Sequence, residues 1–164
     1  MTAIRAWLSA GVVSVGIVAS LGTTGWAQAP MDTEAESKQV KSVIDDTFKT
    51  MNARDLDHAL AHYADDAQID SKAAGAKVSK SAYREQVTRA WARNRDAWTE
   101  YGNLQVSVVD PTHAVAEGTI YFHLHAAGGA KVRHIQGGPD LTEKHEWKME
   151  KRDGSWLIVE TSYK

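Results

Sequence analysis

The hairpin near the end of the sequence places a histidine and a glutamate where they could act together. Asp153-Gly154 is a strong two-residue turn signal between two segments of alternating polarity. With such a turn, Trp147 lies opposite Glu160, and alternation puts His145 on the same face of the hairpin. A three-residue turn would shift this pairing by one residue.

His145 and Glu160 are residue types that perform acid–base chemistry. Burial among apolar neighbours tunes the pKa of both groups, so the pair could donate and accept protons inside a pocket. The same pair could instead be a satisfied polar contact that closes the wide end of the sheet. Both interpretations stay open on the sequence alone.

An apolar pocket around this pair is predicted from aromatic residues on separate segments. Large rings with few polar groups are typical walls for a small ligand. The predicted wall consists of Tyr63, Trp91, Trp98, Phe122 and Trp147. The expected partner is therefore a small apolar molecule.

Neither a metal nor a cofactor is predicted. His58 and His62 have the i, i+4 spacing that can chelate zinc, but they oppose the apolar stripe of their helix and lack the glutamate of the metalloprotease motif. The glycines at positions 128, 129, 137 and 138 precede a strand rather than a helix, so they do not form a phosphate loop.

The elements that must position these residues follow from the spacing of apolar side chains. Thr33-Glu34-Ala35-Glu36 has the form of a capping box and predicts the start of a long helix. Asp55 can cap a short second helix, and Ser81 a third whose apolar face extends to Trp98. From Leu104 onward the period changes to two, which indicates strands. Helices followed by an antiparallel sheet predict an α+β fold.

Composition excludes several classes of protein. The 164 residues include no cysteine, so the chain has no disulfide scaffold, zinc ribbon or thiol nucleophile. The formal charge of −2 gives no electrostatic drive toward nucleic acid, and no nucleic-acid partner is predicted. The 43% hydrophobic and 24% charged residues are typical of a globular domain.

Residues 1–29 have the pattern of a secretory signal peptide. Arg5 precedes a short apolar run, and small residues follow up to Ala27 and Ala29, either of which could precede the cleavage point. The run is diluted by glycine and serine, unlike a spanning helix. We therefore expect a periplasmic or secreted protein, free of the membrane after cleavage, with residues 30–164 as one domain.

Two motifs resemble the SnoaL-like branch of the nuclear transport factor 2-like superfamily. Residues 51–57 (MNARDLD) and 63–67 (YADDA) look like the usual opening of these domains, and residues 153–159 (DGSWLIV) look like their final hairpin. The resemblance implies a cone-like curved antiparallel sheet wrapped around three N-terminal helices. It also implies a pocket inside the cone and, often, a homodimer.

The resemblance also allows one catalytic version of the family to be tested. Steroid isomerases of this fold carry a general-base aspartate where this chain has Ser71, and an oxyanion-hole tyrosine where it has Thr47. Steroid isomerisation is therefore disfavoured. Asp70 remains as a displaced candidate base, with its side chain expected on the opposite strand face.

Three functional hypotheses follow. In the first, the protein is an exported binder of a small apolar ligand, without assured catalysis. The second is an isomerase, cyclase or dehydratase with His145 and Glu160 as acid and base and Asp70 in reserve. In the third, an interaction module with a filled cone dimerises through its outer sheet face.

Overall fold

A computed structural model describes residues 32–93, 95, 97–123 and 142–164. Three helices and six strands follow one another in the described part of the chain. In chain order they are α1 (Thr33–Asn52), α2 (Leu56–Ala61), β1 (Tyr63–Ser71), β2 (Ala76–Ser79), α3 (Lys80–Arg93), β3 (Trp98–Asp110), β4 (His113–His123), β5 (Thr142–Arg152) and β6 (Ser155–Tyr163). The predicted signal peptide lies outside the described residues. Within those residues, no helix is long and apolar enough to span a membrane.

Helix α1 begins one residue earlier than a capping box at Thr33 would require. The side chain of Asp32 is the N-cap and accepts a hydrogen bond from the Ala35 backbone N–H at 3.0 Å. The predicted capping box is therefore wrong, because Asp32 already satisfies that part of the first turn. Val40 and Ile44 are fully buried and lie on the face of the helix that packs against the sheet.

Glu36, which a capping box would have used, instead joins α1 to the β5–β6 hairpin. Its carboxylate accepts hydrogen bonds from Lys151 Nζ at 2.7 and 2.8 Å and from Trp156 Nε1 at 2.7 Å. Lys151 Nζ also lies 5.6 Å from the centre of the Trp156 ring. We call Glu36, Lys151 and Trp156 the hairpin cluster. Its ion pair and indole hydrogen bond fix the start of α1 against the sheet.

The six strands form one curved, open sheet in the order β2-β1-β6-β5-β4-β3. Four of the five strand pairs are antiparallel, as expected, but β1 and β6 run parallel. The predicted α+β fold with a curved, largely antiparallel sheet is confirmed, and the parallel β1–β6 pair is the one departure from it. Strand β6 consequently lies in the middle of the sheet and joins the β2–β1 hairpin to the other three strands.

The β5–β6 hairpin has the predicted two-residue turn but does not keep its register. Asp153 and Gly154 both have positive φ, 51° and 80°, which suits a tight hairpin turn. From this turn the predicted pairing holds as far as Met149 opposite Ile158. A register shift then follows between Lys148 and Met149. Beyond the shift, every residue of β6 faces the side opposite to the prediction.

The core lies between α1, α2 and the inner face of the sheet. Its buried apolar members include Val40, Ile44, Leu60, Tyr63, Ile69, Ala114, Ala116, Ile120, Trp147, Met149, Trp156 and Ile158. The alternating face predicted for β4 is confirmed from Ala114 to Ile120. Trp98, expected on the third helix, instead begins β3.

Candidate functional site

A cavity of about 300 Å³ opens between the helices and the inner face of the sheet. Four helix-and-strand groups supply its wall, and most of the side chains are apolar or aromatic. Helix α1 contributes Thr47, Phe48, Met51 and Asn52; β1 contributes Tyr63, Ile69 and Asp70; α3 contributes Tyr83, Val87, Ala90 and Trp91; the other strands contribute Trp98, Thr99, Ile120, Phe122, His123, His145, Trp147, Thr161 and Tyr163.

The five aromatic residues predicted to form a wall all line this cavity. Trp147 is 2% exposed and packs edge-on against Phe48, with 6.0 Å between ring centroids. Trp98 stacks on His123 at 4.6 Å. His123 is therefore held at the cavity by its neighbour on β3. The flat faces of aromatic rings therefore form much of the cavity wall.

His145 lies on the inner face of β5 and is 6% exposed. Its ring centroid is 4.6 Å from that of Trp147 and 4.8 Å from that of Tyr163. Burial lowers the pKa of His145 to about 4, although the negative charge of Asp70 acts in the opposite direction. The imidazole is therefore neutral at pH 7. Its Nδ1 is buried and has no hydrogen-bond partner among the described residues.

Asp70 also lines the cavity, although its side chain was expected on the other strand face. Its carboxylate reaches across the parallel β1–β6 junction, where Oδ2 accepts a hydrogen bond from the Tyr163 backbone N–H at 3.2 Å. Its own backbone N–H donates to Thr161 Oγ1 at 3.0 Å. The alternation of β1 is kept, since Ile69 and Ser71 are buried and Asp70 between them is half-buried. Its hydrogen bond to β6 nevertheless leaves Asp70 at the edge of the cavity.

Glu160 does not lie beside His145, and the predicted acid–base pair is wrong. After the register shift in β6, Glu160 pairs with Lys148 on the outer face, and Thr161 takes the inner position opposite Trp147. Glu160 Oε1 accepts from Lys148 Nζ at 2.7 Å and lies 2.8 Å from Lys77 Nζ. These two lysines hold the pKa of Glu160 below its usual value. Glu160 is thus a paired surface carboxylate.

Three tyrosines line the cavity, Tyr63, Tyr83 and Tyr163, and the last two were not predicted as site residues. The rings of Tyr63 and Tyr83 are 6.3 Å apart. Burial raises the pKa of Tyr63, Tyr83 and Tyr163, so all three phenols remain protonated donors at neutral pH. Tyr163 faces inward because of the shift in β6, a change that alternation along the sequence does not reveal.

The two positions that carry chemistry in steroid isomerases of this fold are occupied by satisfied hydroxyls. Thr47 lines the cavity, but its Oγ1 donates to the Val43 carbonyl at 2.7 Å. Ser71 is buried, and its Oγ donates to Gln86 Oε1 at 2.5 Å. Each hydroxyl is directed at a neighbouring protein group, as expected for structural rather than catalytic residues.

Helix α3 covers the cavity without joining the core. None of its residues is buried. Tyr83 packs against the core, and the helix otherwise faces the cavity with Val87, Ala90 and Trp91. Arg54 holds the segment after α3 in place. Its Nη2 donates to the carbonyls of Arg95 and Ala97 at 2.7 and 2.8 Å, and its guanidinium lies 4.8 Å from the centre of the Trp91 ring.

Asn52 joins the end of α1 to the start of β3. Its side-chain Nδ2 donates to the Thr99 carbonyl at 2.7 Å, and its Oδ1 accepts from the Thr99 backbone N–H at 2.9 Å. The amide therefore pairs with this residue of the edge strand as a neighbouring strand would. This contact sets the position of Trp98 at the cavity.

The histidine pair of α2 does not converge on one site. His58 Nδ1 lies 3.0 Å from Asp55 Oδ2, and His62 Nε2 lies 2.8 Å from Asp46 Oδ2. Across the described ranges, no group of three or more His, Asp or Glu residues is arranged to hold a metal ion.

Comparisons with solved structures find the same fold at low sequence identity. A candidate scytalone dehydratase from Novosphingobium aromaticivorans is 14% identical with a TM-score of 0.65, over 80% of this chain and 85% of that one. A protein of unknown function from Mycobacterium tuberculosis is 20% identical with a TM-score of 0.65, over 80% and 76%. A nuclear transport factor 2-like protein of unknown function from Pseudomonas putida KT2440 is 14% identical with a TM-score of 0.61, over 79% and 86%.

No curated protein matches the sequence. The family model described as the SnoaL-like domain matches residues 44–141, which is more than half of the chain. This match includes α2, β1 and α3 and most of the cavity wall, and the opening motif identified in the sequence lies inside it. The fold is that of the nuclear transport factor 2-like structure, and the chain belongs to the SnoaL-like domain family.

Proposed function

We propose that this protein binds a small, largely apolar ligand in the cavity between α3 and the sheet. The observation that carries the proposal is the cavity itself, about 300 Å³ in volume and walled by aromatic rings. That volume lies at the lower end of the range for small-molecule sites. Fully packed interiors leave no such space, so an empty volume of this size is a costly feature unless something fills it.

The unpacked inner face of α3 supports the same proposal. Tyr83, Val87 and Trp91 of this helix are only half-buried, since they face the cavity. A ligand in the cavity would cover these side chains and supply the contacts that the protein interior lacks. Binding should therefore raise the melting temperature.

A pair of substitutions on α3 tests this proposal with a neutral fluorescent probe, N-phenyl-1-naphthylamine. Ala90 and Ala92 are both exposed, but only Ala90 lines the cavity. Ala90→Phe should fill the space and weaken probe binding by at least about tenfold, or about 1.4 kcal/mol. Ala92→Phe should leave binding unchanged. Equal effects of the two variants, or no binding to the wild type, would refute ligand binding in this cavity.

A second candidate function is acid–base catalysis at the Asp70 end of the cavity. Neutral His145, ionisable Asp70 and the protonated phenol of Tyr163 lie together there, and they could move a proton on a bound carbon acid. One structural neighbour is a candidate scytalone dehydratase, which associates this fold with such chemistry. Isomerisation, cyclisation and dehydration remain the reaction types to consider.

Hydrogen–deuterium exchange of 2-tetralone in heavy water tests this second function without a known substrate. An enzyme of this kind should accelerate exchange at the carbon next to the carbonyl, and His145→Gln should abolish the acceleration. Glu160→Gln is the matched control, since Glu160 lies on the outer face with Lys77 and Lys148. If the wild type does not accelerate exchange, the catalytic function is refuted and ligand binding remains as the proposed function.

The interaction-module hypothesis receives less support. It requires side chains to fill the cone, and the cavity argues against that. We keep a homodimer through the outer sheet face as a proposal. Paired charges cover that face, including Lys148 with Glu160 and Lys164 with Glu117, and alternating charges can complement a second copy. Analytical ultracentrifugation at low and high salt would test this association.

Export also remains a proposal, supported by the pattern of residues 1–29. Expression of the full chain in a bacterium should give a periplasmic protein that begins after Ala27 or Ala29. N-terminal sequencing of the purified protein is the direct test, and a start at Met1 would refute export.

A further inference from the structure

The charge of the cavity wall is not balanced. Among the described residues that line the cavity, Asp70 is the one carboxylate, and lysine and arginine are absent. The rest of the wall consists of aromatic rings, including phenols, of aliphatic side chains, threonine hydroxyls, one amide and two imidazoles. An anionic ligand would therefore meet a like charge without any compensating cation, which costs free energy in a partly desolvated site.

Asp70 differs from the other carboxylates around it. Glu143 is paired with Lys72, and Glu160 is paired with Lys77 and Lys148. Asp70 forms no ion pair with any described residue. Among those residues, its carboxylate accepts a hydrogen bond from the Tyr163 backbone N–H. A carboxylate has about four lone-pair positions, so most of its capacity remains available to a ligand.

His145 does not neutralise this charge. The two groups are close enough for Asp70 to favour the imidazolium, but burial outweighs that attraction and lowers the pKa of His145 to about 4. The imidazole stays uncharged at neutral pH. The charges of Lys72 and Glu143 cancel each other within their ion pair. The Asp70 end of the cavity therefore keeps one net negative charge.

The aromatic walls, like Asp70, favour a positively charged ligand. Ring faces attract cations, and the protein already uses this attraction at two rings of the wall. Arg54 lies 4.8 Å from the centre of the Trp91 ring, and Lys72 Nζ lies 5.3 Å from the centre of the Tyr163 ring. A cation inside the cavity would meet further rings, such as Tyr63 and Tyr83, beside an available carboxylate.

We propose that the ligand is an organic amine, with an apolar body against the aromatic walls and a protonated ammonium group hydrogen-bonded to Asp70. This inference rests on the proposed ligand-binding function and names the chemical class of the ligand. It places the charged head at the junction of β1 and β6 and the apolar body under α3.

Three compounds with the same ring system test the inference: 2-naphthylmethylamine, 2-naphthylmethanol and 2-naphthoate. Isothermal titration calorimetry at pH 7.5 and low salt should show the amine binding at least about tenfold more tightly than the alcohol, as expected for a charge-assisted hydrogen bond. The naphthoate should bind most weakly. Equal affinities for the amine and the alcohol would overturn the inference and leave the proposed function intact.

Two variants assign the preference to one carboxylate. Asp70→Asn should reduce the affinity for the amine to that of the alcohol and leave the alcohol unaffected. Asp153→Asn is the control, because it removes the same charge at the β5–β6 turn, where asparagine tolerates the φ of 51°. A retained preference in Asp70→Asn would overturn the assignment. If none of the three compounds binds the wild type, the proposed function fails together with the inference.

Discussion

The polar groups packed at the two ends of strand β5 differ in whether they have hydrogen-bond partners. At the hairpin end, the Glu36 carboxylate accepts hydrogen bonds from both Lys151 and Trp156. Six residues before Lys151, about 20 Å along the strand, His145 is 6% exposed, less than the 19% of the Glu36 side chain, yet its Nδ1 lacks a partner among the described residues. Glu143, at 7% exposure, likewise has one oxygen without a partner there.

This difference separates stability from function along one strand. A buried polar group that is fully hydrogen-bonded helps to fix one structure, whereas a buried group without a partner costs free energy. The hairpin cluster has the first character, and it joins α1 to the sheet. The start of β5 has the second character, and it borders the cavity. Substitutions at the two ends should therefore have effects that differ in size and in sign.

The largest effect is expected at the hairpin end. Trp156 is 3% exposed, and Trp156→Ala should lower the free energy of unfolding by about 3–5 kcal/mol, because it removes a large buried ring and leaves Glu36 with one partner fewer. Urea denaturation monitored by circular dichroism would measure the change. Trp156→Phe keeps most of the ring volume, so its free energy of unfolding should lie between those of the wild type and Trp156→Ala. A loss under about 1 kcal/mol for the alanine variant would show that this end is not the stabilising one.

A pH-dependent effect is expected at the start of β5. The pKa of His145 is about 4 in the folded protein against a usual value of 6.5. Between these values the unfolded chain binds a proton that the folded protein does not, so the free energy of unfolding should fall as the pH drops from about 6.5 to about 4. The fall attributable to this residue should reach up to about 3 kcal/mol.

His145→Phe isolates this contribution from that of the carboxylates, which titrate in the same range. The difference in unfolding free energy between wild type and variant should grow in favour of the variant below pH 6.5. Parallel pH profiles for the two proteins would contradict the assignment of a lowered pKa to His145.

The smallest effects compare the same chemical change at both ends. Glu36→Gln removes the charge that holds Lys151 and should destabilise the protein. Glu143→Gln should stay within about 1 kcal/mol of wild type, because half-exposed Lys72 can be solvated by water and one buried oxygen had no partner. Thermal melts of both variants at pH 7 would suffice. The reverse ranking would remove the distinction between the two ends.

The aromatic wall could be predicted because residue type and period suffice for it. Trp91 follows the helical period of α3, Phe122 the alternation of β4, and Trp147 the alternation of β5. Large apolar rings turn toward the interior wherever their element meets it, and even Phe122, 37% exposed, lines the cavity. Errors of a few residues in element boundaries therefore did not matter. Trp98 lines the cavity even though it was expected on a helix rather than on β3.

The polar end of the site could not be predicted in the same way. One register shift in the β5–β6 pair moved Glu160 outward and brought Tyr163 opposite His145. Bulges depend on the twist of the whole sheet and leave no trace in the alternation of a single strand. The position of Asp70 depends on the parallel contact between β1 and β6, whose residues are about 90 positions apart in the chain. Local periodicity contains no information about such a contact.

The central position of β6 also determines when this protein can fold. With the order β2-β1-β6-β5-β4-β3, a chain that lacks β6 leaves one hairpin and one three-stranded sheet that do not pair with each other as strands. Neither part can build the cavity, which needs Asp70 from one side and His145 from the other. During synthesis the emerging chain must therefore remain incompletely folded until β6 has left the ribosome. Its folding should be slow for its size, since contacts between distant segments must form together.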